Sequence, residues 1–285
     1  MSRVPELKTR VLVLSHNATG MNPSVEAKLR RAFADHLIVD FDPARSLEDL
    51  ISKQARIVVA GGDGSVEFIV RKFAETRHPI GIIPLGTFNN LARALGLPMS
   101  IDRAIAVARS GQPRPITLGR VNDYVFVEAC AIGLFGETIA LGESAKDMEF
   151  GKLATRLRDV IAARSFRYEL SGDFEGSGSA MSLVFSNTAT IGALLRVGGG
   201  GPLTPQLEFS VHAGSTRTDI ATRALRSALP FAKSEDPGAQ VFRFKKLQVK
   251  TRPRVRVYAD SIPIGRAPAT ISAEVSALRV FLPRK

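Results

Sequence analysis

The stretch from residue 56 to 98, RIVVAGGDGSVEFIVRKFAETRHPIGIIPLGTFNNLARALGLP, constrains this chain more than any other. An apolar run at 57–60 enters a tight glycine turn, Gly61-Gly62-Asp63-Gly64-Ser65. A helical pattern follows, with Val66, Ile69, Val70, Phe73 and Ala74 on one face. A second apolar run at 80–83 leads into Pro84-Leu85-Gly86-Thr87-Phe88-Asn89-Asn90, and a short helix after it stops at Gly96, with Pro98 beyond. Two strand-to-helix turns, both rich in glycine and in small hydroxyl or amide residues, thus lie close together in sequence.

Such turns favour anions. Glycines let backbone N–H groups approach a ligand without a Cβ in the way, and the following helix points its positive dipole end at the same spot. A polyphosphate is the natural guest, which makes Gly61, Gly62, Gly64, Ser65, Gly86, Thr87, Asn89 and Asn90 candidate nucleotide-binding residues. Asp63 is the odd member, because a bare carboxylate repels phosphate. A bound Mg²⁺ resolves the conflict by taking both carboxylate and phosphate oxygens. The plainer alternative is a tight turn in which Asp63 caps a helix, and the pairing of two such turns weighs against it.

The rest of the chain divides by rhythm. A first apolar run at 11–14 ends in Ser15-His16-Asn17-Ala18-Thr19-Gly20. Asn22 caps a helix with Pro23 at its first position, and Val25, Leu29, Ala32 and Phe33 form its apolar stripe. A strand at 37–39, a capping-box signature at 46–49 and a helix at 101–109 continue the alternation. Strands alternating with helices indicate a mainly parallel sheet, whose ligands bind beyond the carboxyl ends of the strands. His16, Asn17, Asp63 and Thr87 all follow strands and are expected to line one crevice. After residue 115 the rhythm changes. Runs at 116–121 and 124–131 flank the hairpin turn Asn122-Asp123, and runs at 166–170 and 181–186 flank a Gly/Ser-rich loop. Further strands are expected at 207–212, 241–250, 255–259 and 278–282, with helices at 153–163 and 219–229 and a mobile glycine loop at 198–201. The expected organisation is an α/β nucleotide-binding domain, 1–115, followed by a mostly antiparallel β domain, 116–285.

Composition narrows the function. A single cysteine, Cys130 in an apolar run, excludes a disulfide framework and a cysteine metal site. None of the four histidines has metal-ligand spacing with another, and no G-x-S-x-G elbow is present. The N-terminus carries no signal-peptide pattern, and no window approaches the ~20 apolar residues of a membrane span, so a cytoplasmic protein is expected. The formal net charge of +12 points to an acidic partner. Residues 241–256 hold seven basic side chains and no acidic one, among them Lys250, Arg252, Arg254 and Arg256. The alternating arginines read as one strand face, either simply solvated or in contact with an anionic membrane surface. Sparse aromatics argue against nucleic acid.

GGDGS followed by PLGTFNNLAR resembles the GGDGT…PxGTxND-x-AR pair of the diacylglycerol kinase catalytic-domain family, which includes bacterial lipid kinases, sphingosine kinases and ceramide kinases. The resemblance is specific over 56–98 and weaker towards the C-terminus. It implies the same two domains with the active site in the cleft between them, ATP and Mg²⁺, and transfer of a phosphoryl group to a lipid hydroxyl at a membrane. Under it, Asp63 organises the metal-nucleotide complex, and Asp260 matches the first carboxylate of the family's Asp-Gly-Glu, making it the expected catalytic carboxylate. Several positions depart from the family. Ile262 stands where the glutamate is expected, Asn90 and Thr117 where aspartates are usual, Glu67 where asparagine is frequent, Met21 where some members have lysine, and residues 202–205 lack an Asp-Gly. Three readings follow: a lipid kinase, an NAD kinase-like enzyme, or a nucleotide- or lipid-binding relative with weakened turnover.

Overall fold

The computed structural model describes residues 10–44, 56–74, 79–136, 165–191, 195–196, 200–212 and 241–284. The helices expected at 46–49, 153–163 and 219–229 lie outside the described residues, as do His78 and residues 198–199 of the glycine stretch. The chain forms two compact units, Met1–Ile116 with Ser276–Lys285, and Thr117–Val275.

The first unit is a parallel sheet. Its strands are β1 (Arg10–Leu14), β2 (Leu37–Asp40), β3 (Arg56–Gly61) and β4 (Ile80–Pro84), in the order β2-β1-β3-β4. The helices are α1 (Pro23–Ala32), α2 (Asp63–Lys72), α3 (Asn90–Ala94) and α4 (Ile101–Ser110). Asn22 caps α1 as its sequence suggests, its Oδ1 accepting from Val25 N at 3.1 Å with proline at the first position. Leu12, Leu14, Val58, Ala60 and Ile83 pack against Val25, Leu29 and Phe33 of α1 and Ala104, Ile105 and Ala108 of α4 in one buried cluster. Truncating a buried aromatic such as Phe33 to alanine costs about 3–5 kcal/mol. The unit also takes in the chain's last residues: Val280 pairs in parallel with Ile80, and the Arg56 guanidinium lies 4.2 Å from the centre of the Phe281 ring.

The second unit is a sandwich of two mainly antiparallel sheets. Its strands are β5 (Gln112–Val121, entering from the first unit), β6 (Tyr124–Phe126), β7 (Ala129–Gly133), β8 (Phe166–Gly172), β9 (Gly176–Ala180), β10 (Ser182–Ser186), β11 (Thr190–Ile191), β12 (Leu195–Arg196), β13 (Leu207–His212), β14 (Val241–Phe244), β15 (Lys246–Arg252), β16 (Arg256–Ala259), β17 (Ile262–Arg266) and β18 (Ala269–Leu282, leaving towards the first unit). One sheet runs β6-β5-β18-β15-β8-β9 and the other β14-β13-β10-β7-β16-β17; β11 and β12 pair only with each other. Phe126, Leu170, Leu247, Val249 and Ile271 of the first sheet meet Cys130, Phe185, Phe209, Phe244 and Val257 of the second in a continuous core. Burial pushes the Cys130 thiol up, and the Asp260 charge adds to the effect, so Cys130 behaves as a small core hydrophobe.

The strands depart from the sequence expectation at several places: β11, β12, β17 and the part of β18 before residue 278 lie where no strand is expected, and three runs differ in detail. The run at 124–131 is two strands in different sheets, because the N–H groups of Val127, Glu128 and Ala129 turn to the Asp260 carboxylate. The run at 241–250 splits at Lys245, where Asp173 Oδ2 accepts from Lys245 N at 2.6 Å and Lys246 N at 3.3 Å. At both crossings a carboxylate satisfies donors that leave one ladder before joining another. The Gly/Ser-rich segment is partly a strand, β9, paired residue by residue with β8 from Phe166↔Ala180 to Leu170↔Gly176. The arginines at 252, 254 and 256 do not share a strand face. β15 ends at Arg252 in one sheet and β16 begins at Arg256 in the other.

Candidate functional site

Three turns meet at the carboxyl ends of β1, β3 and β4. The main chain itself ties them: Ser15 N donates to Ala60 O at 2.9 Å, Leu85 N to Gly61 O at 2.9 Å and Gly20 N to Leu85 O at 2.7 Å. Side chains add Ser65 Oγ donating to buried Ser15 Oγ at 2.9 Å, and Thr19 Oγ1 3.1 Å from Thr87 Oγ1. The two glycine turns touch directly. A Cβ on Gly86 would lie 2.6 Å from Gly62 Cα and 2.9 Å from Asn89 Oδ1, and a Cβ on Gly61 2.9 Å from Ser65 Cβ. Gly62 is the N-cap of α2, so the helix begins at Asp63, within the turn read from sequence. At Gly64 a Cβ would meet nothing within 4 Å. The start of α2 thus presents backbone N–H groups, which have no partner within the helix, beside open space.

Asp63 joins the turns. Its Oδ2 accepts from Asn89 N at 2.8 Å and its Oδ1 from Asn90 N at 2.7 Å. Asn89 sits at φ 53°, and its side chain closes the second turn by accepting from Gly86 N at 2.8 Å and donating to Gly86 O at 2.7 Å. A left-handed backbone suits asparagine, and the local amide bonds hold it there. Asp63 therefore caps the start of α3 rather than its own helix. Asn90 is buried at the same junction, Thr87 is exposed, and Asn17 is exposed in the turn after β1. His16 is exposed but engaged, with Nε2 2.8 Å from Asp40 Oδ1 and Nδ1 3.7 Å from Glu26 Oε2, so it braces the end of β1 against β2 and α1. Ser15 and Thr19 complete the junction; their sequence carries no sign of it beyond their place in a small polar turn after a strand.

In the second unit, Asp260 and Ser261 have φ of 43° and 63° and form the two-residue turn of the β16–β17 hairpin, in which Ala259 pairs with Ile262. Asp260 is buried. Its Oδ2 accepts from Val127 N at 2.7 Å, and its Oδ1 from Glu128 N at 2.8 Å and Ala129 N at 3.2 Å. These three donors fix the carboxylate against residues 127–129. Ile262 is 44% exposed on β17, and the tight turn breaks the extended alternation that would set it beside Asp260. Thr117, where an aspartate is usual, is buried: its N donates to Pro202 O at 2.7 Å and its Oγ1 to Thr204 O at 2.6 Å. Asn187, which no motif signals, donates from Nδ2 to Thr117 O at 2.9 Å and Val127 O at 3.0 Å.

A parallel α/β sheet with touching glycine turns at its strand ends, joined to an antiparallel sandwich, defines a two-unit class of proteins, and the exposed backbone N–H groups at such turns suit anions. The sequence pattern of the diacylglycerol kinase catalytic domain matches residues 16–121. A diacylglycerol kinase of Mycobacterium tuberculosis is 31% identical over 248 residues, 80% of this chain and 77% of that protein. A Pseudomonas aeruginosa protein named probable lipid kinase YegS-like is 29% identical over 299 residues, 97% of this chain and 95% of that one. The chain also spans 54% of an uncharacterized Synechocystis protein, at 23% identity. The crystal structure of a diacylglycerol kinase from Bacillus anthracis superposes with a TM-score of 0.71 at 19% identity, over 96% of this chain and 97% of that one, and shares the fold. The chain belongs to the diacylglycerol/lipid kinase family, a family of kinases. Among the described residues, no helix is long and apolar enough to cross a membrane, and no group of three His, Cys, Asp or Glu side chains is placed to hold a metal ion.

Proposed function

We propose that this protein transfers the γ-phosphoryl group of ATP to the hydroxyl of a lipid, of the diacylglycerol or ceramide/sphingoid class. The observation that carries the reading is the contact of Gly86 with Gly62, locked by Asp63 across both turns, beside the open N-terminal end of α2. That cradle suits nucleotide phosphates, with backbone N–H groups of residues 62–65 as donors. In the reaction the lipid oxygen bonds to the γ-phosphorus, the bond to the β–γ bridging oxygen breaks, ADP leaves, and the hydroxyl gives up its proton. A loose transition state asks little of a base and much of positioning and charge neutralisation. The chain's own residues therefore hold and orient phosphates, and Asp63 fixes the geometry of the turns. Mg²⁺ supplies charge neutralisation when present. Among the described residues no group of three His, Cys, Asp or Glu side chains is placed to hold the ion, so in this reading it arrives on the nucleotide.

One observation favours a second reading, a relative with weakened turnover: Asp260 is committed to three N–H groups and Ile262 offers no carboxylate. The test is transfer of label from γ-labelled ATP, with Mg²⁺, to a panel of diacylglycerol, ceramide, sphingosine and NAD, with products separated. Label in a lipid supports the proposal. Label only in NAD overturns it, and nucleotide binding with no transfer selects the weakened relative.

A further inference from the structure

The outer face of the sheet formed by β15, β8 and β9 carries a concentration of positive charge that the kinase site does not use. Along β15 the side chains alternate between core and solvent. Leu247, Val249 and Thr251 are buried, while Lys246, Gln248, Lys250 and Arg252 are exposed. The register sets Arg252 directly opposite Arg167, and Lys250 opposite Glu169. It then sets Arg167 opposite Ser179, and Glu169 opposite Ser177. The face thus has four basic side chains, Lys246, Lys250, Arg252 and Arg167, against two acidic ones, Glu169 and, beside Lys246, Asp173.

Two arginines at directly paired positions of adjacent antiparallel strands repel each other. Among the described residues neither guanidinium has an ion-pair or hydrogen-bonding partner to relieve that repulsion. Between them and the serines of β9 lies an open groove of about 410 Å³, lined by Arg167, Lys250, Arg252, Ser177 and Ser179 and by one carboxylate, Glu169. An anion seated in the groove would meet two guanidinium forks, an ammonium and two hydroxyls, a donor set suited to phosphate oxygens, with the Glu169 carboxylate opposite Lys250 the one opposing charge.

We propose that this face docks the protein on an anionic lipid bilayer, with lipid phosphates entering the Arg167–Arg252 groove. Charge complementarity argues for that occupant, and so does shape: the donors spread over three adjacent strands of one sheet and face outward, matching a planar array of headgroups. Among the described residues the one aromatic of the lining, Tyr168, packs its ring towards the core, which gives a nucleic acid no run of stacking platforms. The surface differs from the one that sequence alternation suggests. Arg252 and Lys250 belong to it with Arg167, whereas Arg256 is on the other sheet of the sandwich.

The purpose of docking rests on the lipid kinase reading, but the docking itself does not, and the test uses no nucleotide and no acceptor. Full-length protein is sedimented with vesicles of phosphatidylcholine containing 30 to 50% (about one third to one half) phosphatidylglycerol, at low and high salt. Each basic side chain near such a surface contributes roughly fivefold in partitioning, so the variant Arg167→Gln/Lys250→Gln/Arg252→Gln is expected to bind on the order of 100-fold more weakly. The control Arg31→Gln/Arg103→Gln/Arg279→Gln removes the same charge from exposed positions of the first unit and is expected to bind within a few-fold of the parent. Thermal melts of all three check folding, and label transfer to lipid dispersed in neutral detergent is expected to survive both triple changes. Equal loss in control and groove variants would overturn the proposal by showing that net charge alone drives binding. Unchanged vesicle binding in the groove variant would also overturn it, as would tighter, groove-dependent binding of a single-stranded oligonucleotide or of inorganic phosphate. Failure of label transfer with intact vesicle binding would count against the kinase reading and leave the docking face standing.

Discussion

Replacing Asp63 by asparagine keeps the size of the side chain and removes its charge and one of its two acceptor oxygens. The structure shows what depends on that oxygen. Asn89 N and Asn90 N each donate to a different Asp63 oxygen, at 2.8 and 2.7 Å, in a partly buried junction. A hydrogen bond to a charged group contributes about 1.5–3 kcal/mol. In the asparagine variant one of these becomes a neutral bond, and the other N–H faces an amide NH₂, donor against donor. The expected loss is about 2–4 kcal/mol, which for a domain of this size lowers the melting temperature by roughly 5–15 °C. Slack between the turns also lets Gly62 and Gly86 part, so nucleotide affinity falls with stability. The assays are thermal denaturation, hydrogen exchange at the amides of 89 and 90, and ATP binding by calorimetry. A variant with unchanged melting and unchanged exchange that nonetheless fails to bind ATP would refute the reasoning, and would place the Asp63 charge against the ligand instead of under the second turn.

Three further outcomes are expected. Gly64→Ala adds a methyl that meets nothing within 4 Å and improves helix propensity, so stability should hold or rise by ~0.5–1 kcal/mol while ATP affinity drops; equal ATP affinity in titration would mean phosphate does not approach that surface. Asp260→Ala leaves three backbone donors of 127–129 without their carboxylate, at about 1–3 kcal/mol each, so urea denaturation should show severe destabilisation; a well-folded variant would remove Asp260 from the crossing between the sheets. His36 is held below its ordinary 6.5, chiefly by burial of the ring and against the opposing pull of Asp35. The folded state thus binds the proton less readily than the unfolded one. Its contribution to stability is present above pH 6.5 and is lost as pH falls from there towards the lower folded value, and His36→Gln should flatten that part of a stability-versus-pH curve.

The first unit was legible because its signals are local. The apolar runs at 57–60 and 80–83 became β3 and β4, and Asn22-Pro23 began α1 as capping chemistry requires. The glycine turns announced themselves, but their coupling did not. Nothing in the sequence says that the Asp63 carboxylate reaches residues 89 and 90, and without that link it reads as a metal ligand or a cap for its own helix. The second unit was less legible because its breaks are set from far away in the chain. The run at 124–131 is apolar but for Glu128, and its division at 127–128 depends on Asp260; the division at Lys245 depends on Asp173. β9 was hidden for another reason: Gly-Ser-Gly-Ser-Ala has little strand propensity, and its pairing is supplied by the backbone of β8. The end of β18 packs beside β4 through Val280 and the ring of Phe281, a placement that an apolar run alone cannot announce.

The most direct test of the account is a crystal structure of the protein with a non-hydrolysable ATP analogue and Mg²⁺. The account predicts the β- and γ-phosphates within hydrogen-bonding distance of the backbone N–H groups of Gly62, Asp63, Gly64 or Ser65, with the Gly62–Gly86 contact and both Asp63 hydrogen bonds intact. Analogue bound elsewhere while these turns stay empty, or phosphates seated there only after Asp63 has left Asn89 and Asn90, would contradict it.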